Sequence, residues 1–282
     1  MNEAPAWVKA AQTAASQNKK VLAVEGKNDV AVYREWLHKR LGPAWVNAVH
    51  LENARDRARL LSGLRRLNEA DDPFKDSIFG LADRDEWQAA DVAALKAELP
   101  TLLVNESRHS LESYFCDPDE LEAALTASGN QNIVPVMPNL RQRLESALEQ
   151  YVPHWALGCT IQRANERIRE DAQYPAFFRD ICPLPADEDI AAKLQQWASM
   201  LDPTPLLQSY ASLRQTSFAR PQTEQFRSCV EPKLLFAKVV VAGPDGLNSV
   251  AQKSAEDWRI QLARWSPAMP ADLEAVLAPL LV

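Results

Sequence analysis

The stretch VLAVEGKNDVAVYREWL, residues 21–37, decides the fold. Four apolar residues, Val21 to Val24, make the short run expected of a buried strand. From Val30 onward the period changes, and Val30, Tyr33, Trp36 and Leu37 recur at helical spacing. Glu25 and Gly26 stand between the two patterns. Glutamate is neither a favoured turn residue nor a good N-cap, so its place directly after a strand asks for a reason other than turning the chain.

The same alternation continues outward. WVNAVHL (45–51) is a second apolar run and ARDRARLLSGLRRLNEA (54–70) a second helical pattern. DSIFGLAD (76–83) reads as a third strand, VAALKAEL (92–99) as a helical piece and TLLV (101–104) as a fourth strand. Strand and helix in alternation predict a mostly parallel sheet with helices on its faces, an α/β class. An N-terminal helix precedes it, and the unit is expected to span residues 1–125.

CDPDELEAAL (116–125) then starts a helix cleanly, with Asp117 as N-cap, Pro118 at the first helical position and Glu120 three residues after the cap. Beyond it the periodicities are helical, in LRQRLESALEQYV (140–152), IQRANERIREDA (161–172), DIAAKLQQWASML (189–201) and PLLQSYASLRQ (205–215). The loop-like TASGNQN (126–132) marks the expected boundary to a mainly helical domain over 126–282. KLLFAKVVVAG (233–243) reads as a helix running into a strand, and SAEDWRIQLARW (254–265) as a last helix. Only 8 glycines in 282 residues agree with a helix-rich chain.

Composition excludes several classes. The hydrophobic content is 46%, and no apolar run approaches the length that crosses a bilayer. The N-terminal segment lacks the continuous apolar stretch of a signal peptide, so a cytoplasmic location without membrane contact is expected. Cys116, Cys159, Cys182 and Cys229 stand far apart without a C-x-x-C pair, which signals neither a zinc site nor a disulfide framework and leaves buried thiols as the reading. Net charge is −7, and acids outnumber bases in both halves, so neither half is a basic nucleic-acid module. RDRARLLSGLRR (55–66) carries five arginines against one aspartate and is the best candidate for a polyanion patch, with a solvated helix face as the alternative.

In an open parallel sheet ligands bind beyond the carboxyl ends of the strands, where Glu25, Asp83 and Asp85 are expected. If strand geometry persists through Ala-Asp-Arg-Asp, the period of two aims Asp83 and Asp85 to one side. Asp29 falls one helical turn from Glu25 and can point back to the same crevice, or it can simply complement the helix dipole. Four carboxylates that close would repel one another, and a hard divalent cation, Mg²⁺ or Mn²⁺, is the simplest compensation.

VEGKND at 24–29, followed by an apolar strand ending DRD at 83–85, resembles the Toprim domain of topoisomerases, primases, small ribonucleases and OLD-type nucleases. SRHSLESYF (107–115) is similar to the His-x-x-Glu-x-Tyr segment of an OLD-like Toprim family often encoded beside an ABC-type ATPase, which includes the nuclease effector of the PARIS anti-phage defence system. The resemblance covers roughly residues 20–120. It implies a Rossmann-like Toprim domain in which Glu25, Asp29, Asp83 and Asp85 are Mg²⁺ ligands and Glu112 is a further acid. His109 and Glu112 are three apart and would share a face of a helix. The family commonly shows a Gly-Lys before a late apolar helix; here EPKLLFAKV (231–239) has proline in place of the glycine, leaving Lys233 and Lys238 as equal candidates for the basic residue.

The implied activity is metal-dependent endonucleolytic cleavage of tRNA or DNA in anti-phage defence, with an ABC-type ATPase as partner, since this sequence has no Walker A loop of its own. Homodimerisation is open. The alternatives are a catalytically inactive Toprim-like interaction or inhibitor protein, and a stand-alone RNA- or DNA-processing enzyme. Tyr33 and Tyr114 read as core or helix-face residues rather than nucleophiles.

Overall fold

Four parallel strands, β1 (Lys20–Val24), β2 (Val49–Asn53), β3 (Ile78–Ala82) and β4 (Leu102–Val104), form one sheet in the order β2-β1-β3-β4. The computed structural model describes residues 5–85, 87–170, 195, 198–199, 201–242 and 245–281, with backbone alone for 166–170. Period-two alternation sorts the strand residues cleanly. Val21, Ala23, Ile78, Ala82, Leu102 and Val104 face one apolar cluster, while Leu22, Val24, Phe79, Leu81 and Leu103 face the other.

The first face is covered by α1 (Ala6–Ala15) and α4 (Arg57–Glu69), with α5 (Ala89–Glu98) alongside β4. Asp56 caps α4 by accepting from the Arg59 N–H at 2.8 Å, which starts the helix one residue before Arg57. Gly80 lets α4 come close, because a Cβ there would sit 2.8 Å from Leu64 Cδ1 and 3.1 Å from Leu60 Cδ1.

The second face carries α2 (Lys27–Leu41), which buries Tyr33, Trp36 and Leu37 of the expected stripe together with Val32, while Val30 is only half-buried. A single apolar cluster runs from that face through α2 into the C-terminal helices, joining Trp36 and Leu37 to Leu144 and Val152 of α8 (Met137–Glu170), to Trp258 and Leu262 of a helix at Ala255–Trp265, and to Leu273 and Leu277 of another at Ala271–Leu281. The protein is therefore a parallel-sheet α/β, Rossmann-like domain followed by a largely helical region.

Several expectations hold in detail. The PLLQSYASLRQ pattern lies within α9 (Pro203–Phe218), and Asp117 caps α7 (Pro118–Ala127) by accepting from the Asp119 N–H. Cys116, Cys159 and Cys229 are buried. The helix expected over 189–201 falls almost wholly outside the described residues, as does Cys182.

Others need correction. WVNAVHL is half helix: α3 takes Trp45–Ala48 and β2 begins only at Val49. Residues 233–241 contain no strand; α10 (Gln222–Ser228) is followed by α11 (Pro232–Leu235), which widens into a π-helical segment, Phe236–Val241. Its valines are buried against helices rather than paired in a sheet, so burial was the property that β-branched residues signalled. The segment 107–112 is turn, and only α6 (Ser113–Cys116) is helical, so His109 and Glu112 share no helix face.

Candidate active site

The strand order reverses between β1 and β3, because the chain moves from β1 outward to β2 and later from β3 outward to β4. That switch point opens a crevice at the carboxyl ends of the two strands. Glu25 follows β1 directly and Asp83 follows β3 directly, so both enter it from rigid elements. The Asp83 backbone N–H donates to Glu25 Oε1 at 3.1 Å, tying the two strand ends together.

Strand geometry stops at Ala82, and Asp85 adopts a positive φ of 44°. The two aspartates nonetheless converge: Lys233 Nζ lies 3.8 Å from Asp83 Oδ2 and 4.0 Å from Asp85 Oδ1. Arg84 between them turns away, its guanidinium donating to the Glu106 and Ser228 carbonyls at 2.9 and 3.3 Å. The Asp85 N–H donates to the His109 carbonyl at 2.7 Å, and the Leu111 N–H donates to Asp83 Oδ1 at 3.0 Å, so the 109–112 turn is clamped onto the DRD segment.

Asp29 stands in the first turn of α2, where a Cβ on Gly26 would come within 2.4 Å of its Oδ2. The glycine leaves room for that carboxylate and hydrogen-bonds it through its N–H. Glu112 accepts from Ser110 Oγ at 2.8 Å and from Arg259 Nη1, and the same guanidinium nitrogen lies 3.4 Å from Asp29 Oδ1. Arg259 belongs to α12 (Ala255–Trp265), so the helical region supplies a side chain to the crevice. On the opposite side Arg57, the first residue of α4, donates to Asp85 and, at 3.3 Å, to Glu25, with its guanidinium 4.5 Å from the Trp87 ring centroid.

The structure thus gathers Glu25, Asp29, Asp83, Asp85, Glu112 and Lys233 in one crevice. Lys238 is exposed on the π-helical segment, and no contact places it there. Two cations were missed by sequence reasoning. Arg57 was counted in the basic stretch as a polyanion or solvent contact, although its position after β2 puts it at the carboxyl edge of the sheet. Arg259 sits between Trp258 and Leu262 on the buried stripe of its helix, and an arginine inside an apolar stripe is the signal that marks it.

Electrostatics single out Asp83. Burial, reinforced by Glu112 and Glu25 and opposed by Lys233, pushes its carboxyl up to about 8. Its side chain is 17% solvent-accessible, so the neighbouring charges matter as well as the burial. Burial also raises Asp29 against the pull of Arg259. Lys233 is drawn down by burial but up by Asp83 and Glu112, and ends above the ordinary ammonium range. His109 is pushed down to about 3 by burial and then by Arg84, Lys233 and Arg57, so it is neutral at pH 7; its Nδ1 lies 3.5 Å from Asp85 Oδ1 without a hydrogen bond.

All donors facing one another here are hard carboxylate oxygens, and among the described residues five acids meet Arg57, Lys233 and Arg259. That chemistry suits a hard divalent cation. As arranged, however, the acids pair with guanidinium groups, and among the described residues no three His, Cys, Asp or Glu side chains converge as a ready metal cage. No family model, curated protein or solved structure matches this chain.

Proposed function

We propose that the crevice is the active site of a Toprim-type, Mg²⁺- or Mn²⁺-dependent endonuclease that cleaves tRNA or DNA, acting as a cytoplasmic anti-phage effector under the control of an ABC-type ATPase. The observation that carries the reading is the gathering of Glu25, Asp29, Asp83, Asp85 and Glu112 at the switch point, where burial first, and then Glu112 and Glu25, push the Asp83 carboxyl up to about 8 against the pull of Lys233. A fold kept for shape alone gains nothing from concentrating acids where they repel.

Glu25, Asp83 and Asp85 would hold the metal, with Asp29 and Glu112 completing the set. A bound divalent ion supplies Lewis-acid polarisation of a phosphodiester and a lowered water pKa. Lys233, the most exposed of the three cations, is placed to meet a phosphate oxygen. Arg57 and Arg259 hold the acids in position and would give up part of that pairing when metal enters. Neutral His109 serves through its backbone, bridging Asp85 to the Arg227 carbonyl, which its N–H reaches at 2.8 Å. With no Walker A loop in the chain, ATP dependence falls to the partner.

The guanidinium pairing of the acids favours a second reading, a Toprim-like binding protein without catalysis. Incubation of the purified protein with total tRNA and with plasmid DNA, in Mn²⁺ or Mg²⁺, with EDTA and Asp83→Ala controls, separates the two. Metal-dependent cutting lost in the variant is expected. Intact substrates together with no Mn²⁺ binding attributable to Asp83 would leave only the binding protein.

A further inference from the structure

The basic stretch 55–66 divides in the structure. Arg57 turns into the crevice, and Arg65 is held by Glu98 at 2.5 and 3.2 Å. Arg55 and Arg59 instead line a cavity of about 230 Å³, with Asn53 and Ala54 after β2 and Trp7 of α1. The cavity borders the crevice: the Ala54 N–H donates to the Val24 carbonyl at 2.9 Å, and Glu25 is the next residue.

Folding accounts for the backbone under these two arginines but not for their guanidinium groups. The Arg55 N–H closes a turn on Asn53 Oδ1 at 2.8 Å, and the Arg59 carbonyl accepts from Trp7 Nε1 at 3.1 Å. The Arg55 side chain is exposed, and among the described residues no carboxylate pairs with it. Its φ of 76° is a left-handed conformation that glycine or asparagine adopts at less cost, so the turn does not call for an arginine. Arg59, 53% exposed, lies 3.5 Å from Asp56, a surface pair of little strength.

The lining narrows the ligand class. Among the described residues its charged side chains are two guanidinium groups and no acid, so a cation would be repelled. An apolar occupant would take both guanidinium groups out of water without giving them a partner. A phosphate offers oxygens in the geometry that the planar forks of arginine match. The position names its source. The acids next door repel a polyanion until metal enters, so the attraction that brings a strand to the crevice must come from cations beside it.

We infer that Arg55 and Arg59 grip a backbone phosphate of the nucleic-acid strand whose neighbouring phosphate enters the crevice. Arg57 stands between them in the chain, and its Cα is at most about 7.6 Å from each of theirs. At the ~3.4 Å rise per nucleotide of a duplex strand, that span is about two nucleotides. The inference takes the identity of the strand from the nuclease reading, but the grip itself needs no metal.

Fluorescence anisotropy of a short labelled oligoribonucleotide and of its DNA counterpart, titrated with the full chain in EDTA, tests the grip without cleavage. Arg55→Asn combined with Arg59→Gln should weaken binding of at least one of them about tenfold and flatten its log–log salt slope by about 1–2. The melting temperature should not fall, because both positions are exposed and asparagine tolerates the φ at 55. Arg65→Gln removes a positive charge from the same helix where Glu98 already holds it, and should leave binding unchanged. Binding indifferent to the double substitution, or weakened equally by Arg65→Gln, overturns the proposal. So does displacement of the oligonucleotide by inorganic phosphate at an equal concentration of phosphate groups, which would make the cavity a free-phosphate site. Arginine-dependent binding without any cutting in Mn²⁺ would sink the nuclease reading and leave the grip standing; cutting by a protein whose binding ignores both arginines would do the opposite.

Discussion

Two clusters of charge lie within a few residues of each other in the sequence, and they behave in opposite ways. Around Arg108 the charges satisfy one another: its guanidinium, 2% exposed, meets Asp272 Oδ2 at 2.7 Å and Glu120, lies 3.9 Å from Asp117, and covers the Tyr114 ring. Burial would raise Asp272, yet hydrogen bonds from Arg108, Asn105 and Ser107 hold its carboxyl below the ordinary range. In the crevice the balance is reversed, and Asp83 rises to about 8. The knot spends its charge on holding α13 (Ala271–Leu281) and α7 against the turn, whereas the crevice keeps charge in reserve. Glu120 is the knot's loose end: burial pushes its carboxyl up to about 7 against the pull of Arg108, and its Oε2 is buried without a hydrogen bond.

The largest effect should come from opening the knot. Arg108→Met would take the guanidinium from the half-buried Glu120 and Asp272 and leave buried Asp117 to Arg227 alone, and removing one partner of a buried ion pair costs about 3–5 kcal/mol. Urea unfolding should show a correspondingly lower midpoint with little change in slope. A near-normal midpoint would mean that the knot is no more structural than the crevice.

Asp83→Asn should do the reverse. The amide oxygen can still accept from the Leu111 N–H, while a carboxyl that the fold keeps protonated up to about 8 is replaced by a group that cannot ionise. The melting temperature is expected to stay level or rise, as metal-dependent cleavage drops by about a hundredfold or more. Lower stability in this variant would erase the contrast, because Asp83 would then be part of the scaffold.

How far the sequence revealed this follows from chain locality. The sheet was legible because each strand and the helix after it announce themselves within a dozen residues, and the acids at the strand ends came with it. Glu112 and Lys233 needed resemblance to a family. The partners that set the crevice's electrostatics come from elsewhere: Arg259 reaches Asp29 across 230 positions, and Asp272 reaches Arg108 across 164. No periodicity encodes such distances. The 233–241 segment failed for another reason, since a run of valines reports burial before it reports strand.

The pH dependence sharpens the comparison further. Asp83 titrates in the folded state near 8 but near the ordinary carboxylate value when unfolded, so the fold retains a proton that the unfolded chain has lost. Its contribution therefore favours folding at low pH and fades as pH rises from about 4 toward about 8. The metal-free melting temperature should decline over that interval, and the decline should flatten in Asp83→Asn. Added Mn²⁺ should stabilise more at about pH 8 than at about pH 6, because binding must displace the proton. Thermal scans across that range with and without Mn²⁺ check both; a slope shared equally by wild type and variant would move the titration to another group.

The smallest stability effect and the finest test belong to Lys233. Its side chain is 54% exposed, so solvent screens its pairing with Asp83 and Asp85, and Lys233→Gln should cost at most about 1 kcal/mol. Its effect on cleavage should be far larger, about tenfold to a hundredfold, because a cation aimed at a reacting phosphate acts on charge that develops only in the transition state. Lys238→Gln removes the same charge five residues away, from an exposed position outside the crevice, and should leave cleavage unchanged. Equal losses in the two variants would mean that the positive charge draws nucleic acid to the surface in general, and a steep salt dependence of both losses would identify that cause. Loss confined to Lys233, and persisting at high salt, would place the lysine beside the reacting phosphate and separate a crevice that acts on a substrate from a knot that only holds the fold.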